Sequence, residues 1–211
     1  MDLFAQLKDS IIEMDSKKTL DLTEKAIEEG LDPMDILDKG LVPGIEVVGE
    51  QFKIGELFLP EVMASAKAFK NAFEILSSKL KNSNYEPRAR VILGSVEGDI
   101  HDIGKNIVVA LLQGNGYEVH DAGVSVSPQK FVEMARDLKP NAIGMSALLT
   151  TTMAKMEDTV KALEEAGLRD SIKVIIGGSC VSEDFAKQIG ADAFGQDATE
   201  AVNIMKNITS N

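Results

Sequence analysis

Val91-Ile92-Leu93-Gly94-Ser95-Val96, Glu97-Gly98-Asp99-Ile100-His101-Asp102-Ile103-Gly104 and Lys105-Asn106-Ile107-Val108-Val109-Ala110-Leu111-Leu112 follow one another without a break. The first piece is a short apolar run, the mark of a strand buried on both faces. The last reads as a helix. The middle piece is then a loop at the carboxyl end of a strand, where open α/β sheets bind their ligands. It carries Asp99 and His101 two residues apart. A carboxylate so placed can hold one ring nitrogen of the histidine while the other faces a ligand or a metal.

The same grammar continues toward the C-terminus. The patterning predicts strands at 90–95, 117–122, 141–146, 172–177 and 192–195, with helices over about 103–114, 127–138, 151–166, 182–189 and 197–208. Alternating units of this kind form a parallel sheet covered on both faces. Right-handed crossovers give the order 2-1-3-4-5, a flavodoxin-like doubly wound α/β sheet of five strands. Its switch point falls between the first and third strands. His101 follows the first, Ser146 ends the third, and Gly177-Gly178 closes the fourth.

Toward the N-terminus the pattern is helical. Leu3, Leu7, Ile11 and Ile12 recur at helical spacing, as do Leu20, Leu22, Ala26 and Ile27, with Gly30 as a stop. Asp32-Pro33 reads as a helix start and Gly40 as its end, and Pro43 opens the next helix. Pro60 opens a long one. The expectation is a bundle of four or five helices over 1–82, a linker over 81–88, and the sheet domain over 83–211.

The chain has 211 residues, a net charge of −12, and 44% hydrophobic residues. The acidity argues against nucleic acid and anionic membranes as partners. A single Cys excludes an internal disulfide, and the N-terminus lacks a signal peptide, so the expected location is cytoplasmic. Aromatic residues make up only 5%, which disfavours a flat ligand held by stacking alone. Cys180 and His120 are read as structural.

Asp99-x-His101-x-x-Gly104, then Ser146-x-Leu148, then Gly177-Gly178 resembles the signature of cobalamin-binding domains. The intervening residues, 105–145 and 149–176, match the family's spacing. Gly49-Glu50-Gln51-Phe52-Lys53-Ile54-Gly55-Glu56-Leu57-Phe58-Leu59-Pro60-Glu61-Val62-Met63 is similar to the cap module beside that domain in cobalamin-dependent methionine synthase and in free-standing corrinoid proteins of methylamine, methanol and betaine metabolism. The resemblance covers nearly the whole chain and is closer to the free-standing proteins.

It implies cobalamin, as methylcobalamin or another corrinoid, with His101 as the lower cobalt ligand. Asp99 would hold the other ring nitrogen, and Ser146 would hydrogen-bond Asp99 in a proton relay. Asp102, Ile103, Gly104, Leu148, Thr150, Gly177, Gly178 and Ser179 would line the cofactor. Phe58, Leu59 and Met63 would shield its methyl-bearing face. The implied function is a methyl carrier that is not catalytic alone. A substrate-specific methyltransferase, serving a methylamine or a betaine, would load cobalt as Co(I). A second methyltransferase would pass the methyl group to a thiol or tetrahydrofolate. A reductive activase is a further candidate partner, and a hinge is expected at 81–88. The alternative reading is a cobalamin-dependent sensor or regulator; such proteins usually add a DNA-binding element, and none is evident.

Overall fold

The computed structural model describes residues 2–80 and 87–209, the side chains of 77–80 excepted. Of the expected linker and hinge, residues 81–86 lie outside the described residues. The chain divides into two compact units, Met1–Pro87 with Ala110–Gly116, and Arg88–Val109 with Tyr117–Asn211.

The first unit is helical: α1 (Leu3–Ile12), α2 (Ser16–Glu28), α3 (Pro33–Asp35), a π-helical segment (Ile36–Leu41), α4 (Val42–Lys53) and α5 (Leu59–Leu80). Aspartates start the first three. The side chains of Asp2, Asp15 and Asp32 accept hydrogen bonds from Phe4, Lys18 and Met34 N–H groups that a helix leaves unpaired. Glu61 does the reciprocal job at α5, accepting from Phe58 N–H at 2.7 Å. Val62, Phe69 and Leu76 recur every two turns along α5 and are fully buried.

One expectation is corrected here. Gly40 does not end a helix: α3, the π-helical segment and α4 run on continuously. Gly40 is buried against Leu7, whose Cδ1 would lie 3.0 Å from a Cβ at that position. Pro43 brings no N–H to the ladder, and Val42 N–H reaches back five residues to Leu37. The widened turn absorbs the missing donor.

The second unit holds β1 (Arg90–Val96), α6 (Ile103–Gly114), β2 (Glu118–Val126), α7 (Pro128–Leu138), β3 (Ala142–Ser146), α8 (Thr150–Glu165), a 3₁₀ turn (Arg169–Ser171), β4 (Lys173–Gly177), α9 (Glu183–Ile189), β5 (Ala193–Gly195) and α10 (Ala198–Thr209). α6 starts in this unit, and its last turn belongs to the helical one. The sheet is parallel in the order β2-β1-β3-β4-β5, as the sequence pattern predicts. β1 is buried from Val91 to Val96 and β3 from Ala142 to Met145, because helices cover both faces. Phe131, Ile143, Met156 and Val160 lie in the core.

β2 runs four residues beyond its expected end at 122. Two register shifts against β1 insert extra residues there, with Gly123 at φ +89° and Ser125 at φ +50°. Bulges break the alternation on which sequence recognition of a strand depends. Among the described residues, no helix is long and apolar enough to cross a membrane.

Candidate functional site

The strand register lines up the sequence motifs. Ser95 pairs with Ser146, Ser146 with Gly177, and Gly177 with Gly195, so one rung at the carboxyl edge of the sheet crosses four strands. The Asp99–Gly104 loop, Leu148 and Gly178 all follow directly from this rung. This is the topological switch point between β1 and β3.

Asp99 is the buried centre of the site, 1% exposed. Its Oδ1 accepts His101 N–H at 3.0 Å and lies 2.8 Å from His101 Nδ1. Its Oδ2 accepts Leu148 N–H at 2.7 Å and the Thr152 hydroxyl at 2.8 Å. Burial pushes the carboxyl pKa up, but the bonds from Leu148, His101 N–H, Thr152 and the His101 ring outweigh it and hold Asp99 well below the usual carboxylate range. An ionised carboxylate only accepts, so Nδ1 carries a proton donated to Asp99, and a lone pair available for a ligand on this ring would be at Nε2. Nε2 has no hydrogen-bond partner among the described residues. The ring is 45% exposed, so that lone pair is reachable.

The expected Ser146–Asp99 bond is not formed. Ser146 Oγ lies 2.9 Å from Ser95 Oγ, and Ser95 donates to the His101 carbonyl at 2.6 Å. Asp99 Oδ2 is already occupied by Leu148 and Thr152. Thus Ser146 supports the histidine through Ser95, while Thr152, in the first turn of α8, takes the carboxylate. The sequence reading misses both Ser95 and Thr152. Ser95 hides inside an apolar run, and Thr152 is one of three consecutive threonines whose helical phase alone decides which points inward.

The remaining candidates surround this core. Asp102 accepts from Asn106 Nδ2 at 3.1 Å, and its carbonyl accepts Asn106 N–H, so it starts α6. Ile103, Leu148, Thr150 and Ser179 are exposed. Gly178, at φ +126°, passes so close to Ala147 that a Cβ would overlap its carbonyl oxygen, and a Cβ on Gly177 would lie 2.9 Å from Gly195 O. These two glycines are required by the protein's own backbone. Gly104 differs: a Cβ there would meet nothing within 4 Å. On the helical unit, Phe58 is 72% and Met63 40% exposed, while Leu59 is half-buried. Cys180 donates to Ala147 O, and burial raises its thiol pKa; His120 pairs with Glu118 on its own strand.

This site fits a corrinoid. It offers a carboxylate-held imidazole with an accessible nitrogen, the donor type a cobalt ion accepts. Around it lies an unusual exposed apolar set, with Ile100 74%, Ile103 61% and Leu149 45% exposed. Solvent-facing isoleucines beside an accessible histidine are expected where a large ligand will cover them.

Comparison with known proteins agrees. Residues 89–204 match one family model described as a B12 binding domain, and residues 3–77 match a second of the same description. A corrinoid protein of Desulfitobacterium hafniense (strain Y51) is 44% identical over 99% of this chain and 98% of its own. Trimethylamine corrinoid protein 1 of Methanosarcina acetivorans is 40% identical over 96% of this chain and 94% of its own. The crystal structure of the methanol:cobalamin methyltransferase complex from Methanosarcina barkeri contains a chain superposing with a TM-score of 0.88 at 33% identity, covering 99% of this chain and 80% of that one. With both modules matched and the imidazole seated at the switch point, this chain belongs to the corrinoid protein family and binds cobalamin or a related corrinoid.

Proposed function

We propose that the chain is a methyl carrier, loaded by a methylamine-specific methyltransferase and unloaded by a second methyltransferase acting on a thiol or tetrahydrofolate. The observation that carries this reading is the His101 imidazole, fixed through Nδ1 by buried Asp99 and open at Nε2. Bound corrinoid supplies the cobalt that accepts and releases the methyl group. The chain's residues hold and protect it. Asp99 sets the tautomer of His101 and strengthens Nε2 as a ligand. Ile100, Ile103, Leu148 and Leu149 supply apolar contact around the imidazole, and Phe58, Leu59 and Met63 give the helical unit an apolar surface of its own.

Methylamines are the assigned donor class because a trimethylamine corrinoid protein is 40% identical over nearly its whole length. Betaines and methanol are the competitors. A reductive activase completes the partner set, and the assigned compartment is the cytoplasm. The test reconstitutes holo-protein with the methyltransferase that co-purifies from the native cell and offers methylamines, betaine and methanol separately. Methyl transfer to the bound corrinoid from a methylamine, only with that partner present, is the expected result. Rapid transfer with no partner, or transfer from betaine or methanol alone, overturns the assignment.

A further inference from the structure

Lys105 is a lysine with 3% of its side chain exposed, a position at which a charge is removed from water and needs partners. Its ammonium makes two bonds. One reaches Asp121 Oδ1 at 2.6 Å, at the point where β2 leaves regular register. The other reaches Asn106 Oδ1 at 2.8 Å.

Each bond leads to one flank of His101. Asp121 Oδ1 also accepts Gly123 N–H at 2.9 Å, fixing the start of the bulged segment. Two residues on, Ser125 N–H donates to Asp99 O at 2.8 Å, and Ser125 Oγ accepts Gly98 N–H at 3.0 Å. On the other side, Asn106 Nδ2 donates to Asp102 Oδ2, next to His101. Ser125 is not glycine, yet it holds φ +50°. Such a conformation persists only where the surroundings over-determine it. Here they consist of the Asp99 loop on one side and the Lys105–Asp121 pair on the other.

We propose that Lys105 is a positioning residue whose buried ammonium locks the bulged end of β2 to the start of α6 and so seats Asp99 and the His101 imidazole for the cofactor. This rests on the corrinoid-ligand reading of His101. Lys105 never touches the imidazole; it acts through Asp121, Gly123 and Ser125 on one arm and Asn106 and Asp102 on the other.

The test uses full-length cobalamin-loaded protein and the variants Lys105→Met and Lys105→Arg. A double variant, Lys105→Met with Asp121→Asn, removes both charges, so no buried charge is orphaned, and leaves an acceptor for Gly123 N–H. Amide hydrogen exchange and the imidazole nitrogen coupling in the electron paramagnetic resonance spectrum of the Co(II) form are read on each. In both Met variants exchange at the Ser125 and His101 amides should accelerate at least ~10-fold, a local opening that leaves the amides of β3 and β4 unchanged. The histidine-bound fraction should fall by about half or more, and Lys105→Arg, which keeps a donor and a charge, should recover much of it. Unchanged exchange and coupling in the Met variants overturn the proposal, and so does a uniform loss of protection across the sheet. Coupling missing from the wild type would instead sink the ligand role of His101 itself, so the two failures are distinguishable.

Discussion

The two units bury polar groups of different character: among the described residues the helical unit buries only neutral ones, Ser10, Thr19, Thr23, Ser65 and Asn115, whereas the sheet unit also buries the ionisable Asp99 and Lys105. The sheet unit buries polar groups: Asp99, Ser95, Thr152 and Lys105 are each less than a tenth exposed, and each is hydrogen-bonded. Both units expose apolar groups: Ile54, Phe58 and Met63 are 60%, 72% and 40% exposed in the helical unit, and Ile100, Ile103 and Leu149 are 74%, 61% and 45% exposed in the sheet unit. A buried polar group holds its geometry because an unmade hydrogen bond is expensive. An exposed apolar group is available because nothing in its own unit needs it. The sheet unit therefore holds a fixed imidazole, and both units carry spare hydrophobic surface.

Substitutions should reveal that contrast directly. The harshest is Gly178→Ala, which forces a Cβ onto Ala147 O at a backbone angle closed to alanine. A loss of about 4 kcal/mol or more in urea unfolding is expected, whether or not cofactor is present. A value under about 1 kcal/mol would mean that this loop moves freely and that the site is less rigid than described.

Asp99→Asn comes next. The amide cannot accept from all of its partners as a carboxylate does, so a loss of ~2–4 kcal/mol is expected near neutral pH. The pH dependence has a fixed sign. Asp99 in the fold titrates below its ordinary value of about 3.9, so its ionised form stabilises the fold fully above that value and progressively less as pH falls through the folded pKa. The gap between wild type and Asp99→Asn should therefore narrow on acidification; a gap that widens contradicts the picture.

Thr152→Val keeps the shape and removes one donor to Asp99. It should cost ~1–2 kcal/mol by chemical denaturation. If Ser146→Ala instead produced the larger loss, the carboxylate would have a different partner from the one seen here. At the far end of the scale, Phe58→Ala and Met63→Ala should change the stability of the cofactor-free protein by no more than ~0.5 kcal/mol. Significant destabilisation without cofactor would make these residues core and not spare surface.

Much of this was legible in the sequence because parallel strands buried on both faces appear as uninterrupted apolar runs. The Ile92, Ile143 and Ile175 strands are of that kind, and strand order followed from crossover handedness. The Asp99–His101 pair was legible because its two-residue spacing is itself the local geometry. Other features depend on tertiary neighbours. Ser95 is a polar residue in an apolar run, and only the register with Ser146 explains it. Thr152 needed the phase of α8. Gly40 looked like a stop, and only the packing of Leu7 shows why a glycine lies inside a continuous helical path. The end of β2 was lost because bulges and two positive φ angles remove alternation.

The imidazole held by Asp99 is the proposed cobalt ligand. Electron paramagnetic resonance of the Co(II) form, comparing wild type with His101→Ala, tests that role most directly. His101 is exposed and outside the core, so the variant should fold and still bind about one cobalamin per chain. Imidazole nitrogen coupling is expected in the wild type, with its complete loss in His101→Ala. Identical nitrogen coupling in both proteins would contradict that role.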